Sequence, residues 1–420
     1  MSSPSETADV VPQAVPHPGM GFREFVAFVA ALMAINALAI DAMLPALPQI
    51  GEALNVADEN RRQLIITAYL LGFGVAQLVY GPLSDRFGRR PVLMFGLLVY
   101  VAASGLSAFS TSLDQMVVAR VLQGVGSAAT RVLAVSIVRD CYSGRHMARV
   151  MSFAFIVFIA VPVIAPSVGQ AIVLVAPWEW IFLILGLFGL AVALWSGLRL
   201  PETLPPERRT PISVRGVAGA FRIVATDRAC LGYTLAASAI LGALFGFINS
   251  AQQIFVGIFD TGAAFPLIFA SIALFVAVSS LVNARIVERL GMRRVSHTAL
   301  LGFTGFATLH AAIALSGHET LAVFVALQSA MMFCFGLIIS NFSSMAMDPV
   351  GRVAGTAASF QGFGTTVIGA LLGFYIGQHY DGTVVPLTVG YAALGFLAIL
   401  IVLVTERGRL FAPVNAASGG

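Results

Sequence analysis

Three polar side chains within long apolar segments are candidates for proton coupling, with Asp41 as the group that would exchange the proton: Asp41, Arg120 and Gln123. Charges inside membrane spans are costly and usually functional. Asp41 lies near the predicted outer end of the first apolar segment. A carboxyl group held in a low-dielectric cavity favours its neutral form and can exchange a proton near neutral pH. The alternative is an interfacial aspartate that caps the helix end beside Pro45.

Arg120 lies about a third of the way along the fourth apolar segment, where an unpaired guanidinium is expensive. We expect it to meet a carboxylate, backbone carbonyls or water. In one arrangement it interacts with Asp41, directly or through a cavity, so that protonation of the acid changes the pairing. Gln123, one helical turn on, adds hydrogen bonds. The alternative is a purely structural arginine whose donors are satisfied by carbonyls.

Arg131 follows Arg120 by eleven residues, which is close to three helical turns and places both on one face, about 16 Å apart. A cavity-facing arginine would suit an anionic or strongly polar substrate. The alternative is that Arg131 snorkels to the interface or pairs with an acid elsewhere. Neutral amides either line the same cavity or bond one helix to another; these candidates are Asn36, Asn249, Gln252, Gln253 and Gln361.

The elements that position these residues are membrane helices. The chain has 420 residues, of which 58% are hydrophobic and only 10% charged. Soluble domains carry about a quarter charged residues, so this is an integral membrane protein. We count about twelve apolar segments, each near the length that spans a bilayer: 22–45, 61–80, 91–110, 114–137, 147–172, 178–199, 229–254, 264–287, 294–315, 319–341, 353–378 and 384–405.

The arginines predict the orientation of these segments, because positive residues are enriched in cytoplasmic loops. All 24 basic residues are arginine. With both termini inside, all but four fall in the predicted cytoplasmic segments. The exceptions are Arg61 and Arg62, which lie outside, and Arg120 and Arg131, which lie within a span.

The most concentrated charge lies in the segment 81–91, which we predict to be a tight cytoplasmic loop between the second and third spans. Asp85 can pair with a neighbouring arginine or with a helix end. We expect the segment to act as an inside gate through Gly81, Asp85, Arg86, Gly88, Arg89 and Arg90. A related order of acid, arginine and glycine recurs at 288–291, about two hundred residues later, which indicates two repeated halves.

The fifth span contains Pro162, Pro166 and Gly169, which predict a kink and close helix packing. We expect a disordered cytoplasmic tail at 1–21, a first six-helix bundle at 22–199 and a cytoplasmic linker at 200–228. A second six-helix bundle at 229–406 and a tail at 407–420 complete the chain. Within the linker, residues 214–223 could form an amphipathic helix on the membrane surface.

Several function classes are disfavoured. The chain has no Gly-rich phosphate loop with the Lys-Ser/Thr ending, so no direct use of ATP is indicated. The six histidines and three cysteines lack metal-ligand spacing, and we find no catalytic cluster. We therefore expect neither an enzyme nor a cofactor or metal. The sequence pI near 9.2 comes from the loops and does not indicate nucleic-acid binding.

The segment 81–91 resembles the signature loop of the major facilitator superfamily, and Arg120-x-x-Gln-Gly resembles a motif of its fourth helix. Together with Asp41-x-x-Leu-Pro, Arg139-Asp140 and Pro201-Glu202-Thr203-Leu204, these look like the bicyclomycin and chloramphenicol resistance branch of drug:proton antiporters. Residues 162–170 resemble the antiporter motif, with Ala165 and Gln170 replacing two of its glycines.

This resemblance implies an all-α membrane protein with two six-helix bundles related by pseudo-twofold symmetry. It further implies a monomeric exporter in the bacterial inner membrane that moves a small molecule outwards as protons enter, by alternating access. The site would lie between the halves, near the midplane. A symporter or uniporter for a metabolite, with the same fold, is the alternative.

Overall fold

The computed structural model describes residues 19–209 and 214–411, and within them twelve long helices and no strand. The remaining residues, which include most of both predicted tails and part of the linker, lie outside the described residues. The first six helices are α1 (Phe22–Asp41), α2 (Leu64–Phe87), α3 (Arg89–Ala108), α4 (Leu113–Cys141), α5 (Gly144–Val175) and α6 (Glu179–Arg199). The second six are α7 (Arg228–Gln252), α8 (Phe265–Leu290), α9 (Met292–Leu315), α10 (Leu321–Met347), α11 (Ala354–Gln378) and α12 (Val385–Thr405).

Ten helical stretches of the described chain are long and apolar enough to cross a membrane, by length and composition. One of them, Leu321–Gln378, contains both α10 and α11, and α5 contributes the shorter apolar helix Ala160–Val175. Large apolar side chains such as Phe95 and Leu187 are about 60% exposed on the bundle exterior. Such a surface is stable in lipid and not in water. The protein is therefore a multi-pass membrane protein.

Helix pairing repeats between the two halves of the chain. In the first half the packed pairs are α1·α4, α1·α5, α1·α6, α2·α4, α3·α4 and α3·α6. Adding six to each number gives the pairs of the second half: α7·α10, α7·α11, α7·α12, α8·α10, α9·α10 and α9·α12. The halves meet through α2·α11 and α5·α8. These two contacts are equivalent in the repeat, because α2 corresponds to α8 and α5 corresponds to α11. Two six-helix bundles thus pack about a pseudo-twofold axis.

The predicted loop at 81–91 is mostly helical. Helix α2 continues to Phe87 with Pro82 inside it, and α3 begins at Arg89. Arginine and leucine both have a high helix propensity, so a cluster of arginines does not by itself end a helix. Only Gly88, with φ +99°, leaves the helical conformation. Gly291, with φ +80°, separates α8 from α9 in the same way, so the repeated sequence forms a repeated junction.

Two further expectations meet the structure in this region. A helix forms at Val214–Thr226, which includes the predicted amphipathic segment; its location on a membrane surface stays a prediction. Helix α5 runs without interruption through Pro162 and Pro166.

We name the two ends of the bundles by their charge. The arginine-rich end contains Gly88 and Gly291, and the arginine-poor end contains Asp41.

Candidate coupling site and gates

Arg120 is fully buried, and its guanidinium joins three helices. Its Nη2 donates to the Ala39 carbonyl of α1 at 2.9 Å, and its Nε donates to the Ile65 carbonyl of α2 at 3.1 Å. Its Nη1 donates to Gln123 Oε1 on α4. Ala39 lies in the last turn of α1, where helix carbonyls lack intrahelical partners and carry partial negative charge. Arg120 therefore satisfies one orphan acceptor, the Ala39 carbonyl, at that helix end.

Aromatic rings enclose the same guanidinium. The Tyr69 ring centroid lies 4.5 Å from Arg120 Cζ, and that of Phe182 lies 5.7 Å away. Both separations are within cation–π range. The Tyr69 hydroxyl donates to Asn36 Oδ1 at 2.9 Å and also bonds Ser127. A substrate candidate, Asn36, is thus connected through one tyrosine to the arginine site.

Asp41 is the last residue of α1 and is 5% exposed. No ion pair or hydrogen bond joins its carboxylate to another described residue, so direct pairing with Arg120 is not seen. Arg120 instead bonds the carbonyl two residues before Asp41. The bonding of Arg120 therefore agrees with the alternative in which backbone carbonyls satisfy its donors. Coupling of the charges of Asp41 and Arg120 through a cavity stays a prediction.

Gln123 extends this bonding towards α3. Its Nε2 donates to Ser104 Oγ at 2.7 Å, while its Oε1 accepts from Arg120. Both the oxygen and the nitrogen of the Gln123 amide are therefore hydrogen-bonded, and Gln123 fixes the position of Arg120 between α3 and α4. The expected hydrogen-bonding role of Gln123 agrees with this geometry.

Gly169 brings α5 against the end of α1. A Cβ at this position would overlap the carbonyl oxygen of Ala42, the residue after Asp41. Pro166 lies one turn before it in the same helix. The segment that resembles the antiporter motif therefore packs directly beside the candidate acid, although a kink there stays a prediction.

The substrate candidates do not form one cluster. Arg131 is half-buried on α4, and Gln361 Nε2 donates to the Ser343 carbonyl at 3.4 Å, which links α11 to α10. Asn249 is buried on α7, and neither of its amide atoms has a partner in the described structure. Gln252 is half-buried at the end of α7. Gln253 belongs to a different feature, at the contact between the halves.

At the arginine-poor end, four amide side chains join the two halves; we call Asn60, Gln63, Gln253 and Gln378 the amide latch. Gln63 Nε2 donates to Gln253 Oε1 at 2.8 Å, and Gln253 Nε2 donates to Asn60 Oδ1 at 2.9 Å. Gln378 Nε2 donates to the Asn60 carbonyl at 2.6 Å. Bonds from the latch to the Gly377 and Tyr380 carbonyls strengthen the connection. The sequence analysis did not single out Asn60, Gln63 or Gln378. The one signal that could have found them is an amide side chain at the end of an apolar segment.

At the arginine-rich end, Arg89 is buried and binds three groups. Its Nη1 donates to Asp85 Oδ1 at 2.6 Å and to Ser84 Oγ at 2.7 Å, and its Nε donates to Asp140 Oδ2 at 2.8 Å. These bonds tie α2 and α3 to the end of α4, all within the first half. Pairing of this segment across the halves, as an inside gate, stays a prediction. The Arg86 guanidinium lies 5.4 Å from the Phe87 ring, and Arg90 Nη2 bonds the Gly197 carbonyl.

Glu202 completes this end of the first half. Its Oε1 accepts from the Arg89 backbone N–H at 2.8 Å and its Oε2 from that of Arg90 at 3.2 Å. A carboxylate here satisfies two orphan donors at the start of α3. In the second half Glu406, just after α12, is 3.2 Å from Arg293 near the start of α9. The sequence marked Glu202 only as part of a motif, because a partner more than a hundred residues away leaves no local signal.

The comparisons with known proteins agree with this architecture. Residues 29–374 match the family model described as Major Facilitator Superfamily. The chain is 28% identical to the bicyclomycin resistance protein homolog of Haemophilus influenzae, over 90% of this chain and 94% of that protein. It is 30% identical to the chloramphenicol resistance protein of Pseudomonas aeruginosa, over 89% of this chain and 82% of that protein. The xylose transporter XylE from E. coli, in a partially occluded inward open conformation, matches with a TM-score of 0.69 at 12% identity, over 93% of this chain and 97% of that one.

Proposed function

Because the chain belongs to the Major Facilitator Superfamily, we propose that it exports drugs or other small molecules across the bacterial inner membrane in exchange for protons. Two relatives that align over most of their length carry the names of antibiotic resistance proteins. These names support a small-molecule drug as the exported substrate. The protein acts as a monomer that needs no cofactor.

The observation that carries the proton coupling is the buried carboxylate of Asp41 at the end of α1. Its charge has no described partner, and burial of an unpaired carboxylate is costly, so binding a proton relieves that cost. Arg120 holds the Ala39 carbonyl of the same helix end. A change of charge at Asp41 therefore alters the field at a point where α1, α2 and α4 are bonded together. Protonation and helix packing are coupled at this point.

The way in which the halves meet supports a mechanism of alternating access. They contact each other through two helix pairs and are closed at the arginine-poor end by the amide latch. The arginine-rich end faces the cytoplasm, as do both termini, so this arrangement is closed to the outside. Export requires the latch to open while contacts form at the cytoplasmic end. The latch amides can exchange their hydrogen bonds with one another for hydrogen bonds to water. Because these groups are neutral, opening the latch has little electrostatic cost.

The test uses everted membrane vesicles that hold a proton gradient, reported by a pH-sensitive dye. Antibiotics and cationic dyes are added one at a time to vesicles with and without the protein. We expect at least one compound to dissipate the gradient only when the protein is present. If no compound does so, while a metabolite moves down its own gradient in proteoliposomes, the export proposal is wrong and transport of a metabolite replaces it.

A further inference from the structure

A second buried ionisable pair lies in the second half, far along the chain from Asp41. His310, near the arginine-poor end of α9, is fully buried. Glu319 lies in the connection between α9 and α10, and its side chain is only 8% exposed. His310 Nε2 and Glu319 Oε1 are 3.1 Å apart. The two groups are thus hydrogen-bonded and share one position for a proton.

The surroundings of this pair are aromatic. The ring centroid of Phe324 on α10 lies 5.0 Å from that of His310. Phe255 and Phe259, after α7, pack on Phe324 with centroid separations of 5.5 and 5.6 Å. These rings supply no hydrogen bond to a carboxylate. An ion or ion pair in such a site keeps little of the solvation that it has in water.

The outer atoms of the pair are also unsatisfied. His310 Nδ1 and Glu319 Oε2 are buried and have no partner in the described structure. With His310 neutral and Glu319 ionised, the hydrogen-bonded pair carries a net negative charge in an apolar site. Uptake of one proton from water removes that net charge. Burial accordingly raises the pKa of Glu319 from its ordinary value to about 7.

Few other titratable groups face the pair. The one titratable side chain of helix α10 is the buried thiol of Cys334, and the charged residues of α8 lie in its last turns, at the opposite end of the bundle. Helix α12 contributes the buried Tyr391, while Glu406 lies beyond its far end. His318, next to Glu319 in sequence, is exposed and bonded to Ser316, and Asp260, next to Phe259, is exposed. No ion pair links any of these groups to His310 or Glu319 in the described structure.

The repeat shows that the two halves carry different chemistry. Arg120 and Gln328 are each the eighth residue of their helices, α4 and α10, and both helices begin after a hydroxyl side chain that caps the third residue. Gln328 is fully buried, and both of its amide atoms lack partners in the described chain. The second half thus has a neutral amide where the first half has a fixed charge. Its ionisable pair lies instead on the neighbouring helix α9, which carries His310, and in the connection after it, which carries Glu319.

We propose that His310 and Glu319 form a second proton-binding site, which binds one proton per chain. The site lies near the proposed outer face and in the opposite half from Asp41. Its role in transport rests on the proposed antiport, but proton binding itself does not.

The test measures proton uptake by the purified full-length protein in detergent, in weakly buffered solution titrated from about pH 9 to about pH 5. We expect Glu319→Gln to lose one proton of uptake per chain, with a midpoint about pH 7. Glu207→Gln, at an exposed carboxyl group in the linker, is the matched control for removal of an acid. Equal uptake by wild type and Glu319→Gln in this range would overturn the proposal.

A second variant keeps the test decisive if Glu319→Gln does not fold. His310→Asn leaves the carboxyl group without its proton-sharing partner, so we expect the midpoint of this uptake to move. An unchanged midpoint would show that the two groups do not share a proton. Asp41→Asn should remove a separate uptake step. Because this assay needs no substrate, failure of drug-dependent proton movement in vesicles would refute the antiport without affecting the result for the pair.

Discussion

Asp41 is the residue on which proton exchange depends in the proposed mechanism. An asparagine has nearly the same shape but cannot bind or release a proton at this position. We expect Asp41→Asn to abolish drug-induced proton movement in everted vesicles while the protein remains folded. The fluorescence of the pH-sensitive dye measures this directly.

The control for this change is Asp114→Asn, at an exposed acid near the same end of the first half. It should retain the full drug-dependent signal. Undiminished proton coupling in the Asp41→Asn protein, at equal expression, would remove Asp41 from the mechanism.

Arg120 makes its three hydrogen bonds through different nitrogens of a planar guanidinium. Lysine keeps the charge but not this fork, so Arg120→Lys cannot reach all three acceptors together. Each charged hydrogen bond that is lost costs about 1.5–3 kcal/mol. We expect a lower melting temperature in detergent and weaker proton coupling, whereas Arg61→Lys, at an exposed arginine, should change neither. Unchanged melting in Arg120→Lys would contradict the bonding described for this site.

Glu319 gives a pH dependence whose sign is fixed by its burial. Its pKa in the folded protein, about 7, lies above the ordinary value of 4.5. Between these values the folded state binds more protons than the unfolded state, so stability falls as pH rises. We expect the wild-type melting temperature to decrease between about pH 5 and pH 8, and Glu319→Gln to flatten this decrease. Parallel melting curves for the two proteins would show that Glu319 does not contribute.

At this scale the sequence predicted which residues matter better than it predicted their partners. Asp41 and Arg120 stand out because charges in apolar segments are rare. The acceptors of Arg120, however, are the carbonyls of Ala39 and Ile65, and every residue has a carbonyl. The sequence gives no sign that His310 and Glu319 pair, because their nine-residue separation brings them together only once the helix end and its turn have folded.

Among the helices, the junction at Gly88 allows a sharp test. Its φ of +99° is unfavourable for any residue with a side chain, and a Cβ there would also overlap Glu202 Oε2. We expect Gly88→Ala to destabilise the protein by more than the roughly 1–3 kcal/mol of the backbone conformation alone, because Glu202 must release the start of α3. Thermal melting in detergent gives the measurement.

Gly291 supplies the matched control, because it has a similar φ of +80° and no neighbouring atom would lie within 4 Å of an added Cβ. Gly291→Ala should show the backbone cost without the contact. If the two alanine variants melt alike, the carboxylate of Glu202 does not stabilise the junction between α2 and α3.

The same junction shows why the element boundaries were partly wrong. Three arginines and an aspartate within ten residues indicated a loop, yet α2 continues to Phe87 and α3 begins at Arg89. Charged residues are compatible with a helix that leaves the bilayer, and only the glycine requires another conformation. The repeat at 288–291 correctly predicted a related junction, because it repeats this glycine as well as the charges.

For the whole molecule, the twelve apolar segments and the internal repeat predicted the two-bundle fold, which the family match and the helix pairing confirm. The contact between the bundles could not be predicted in the same way. Helix faces that meet another half are nearly as apolar as faces that meet lipid, so hydrophobicity does not distinguish them. The amide latch is polar, but its members come from three separate places in the chain.

The latch predicts how the equilibrium between conformations can be shifted. A Cβ at Gly377 would overlap Gln63 Oε1, and Gln63→Ala removes three hydrogen bonds between the halves. We expect both Gly377→Ala and Gln63→Ala to favour the form that is open at the arginine-poor end. A single cysteine at Asn36 reports this form, through faster reaction with a membrane-impermeant maleimide added outside cells. The three native cysteines are buried and give a low background.

The latch contains no ionisable side chain, so its closure does not itself depend on pH. Protons then act on the conformation only through groups such as Asp41. While the open form remains a small fraction of the molecules, the latch variants should raise the labelling rate by the same factor at every pH. Gln115→Ala removes an amide at the same end that bonds only Thr111 in its own half, and it should leave labelling unchanged. Under these conditions, an increase by Gln63→Ala that depends on pH would mean that closure of the latch itself takes up or releases a proton.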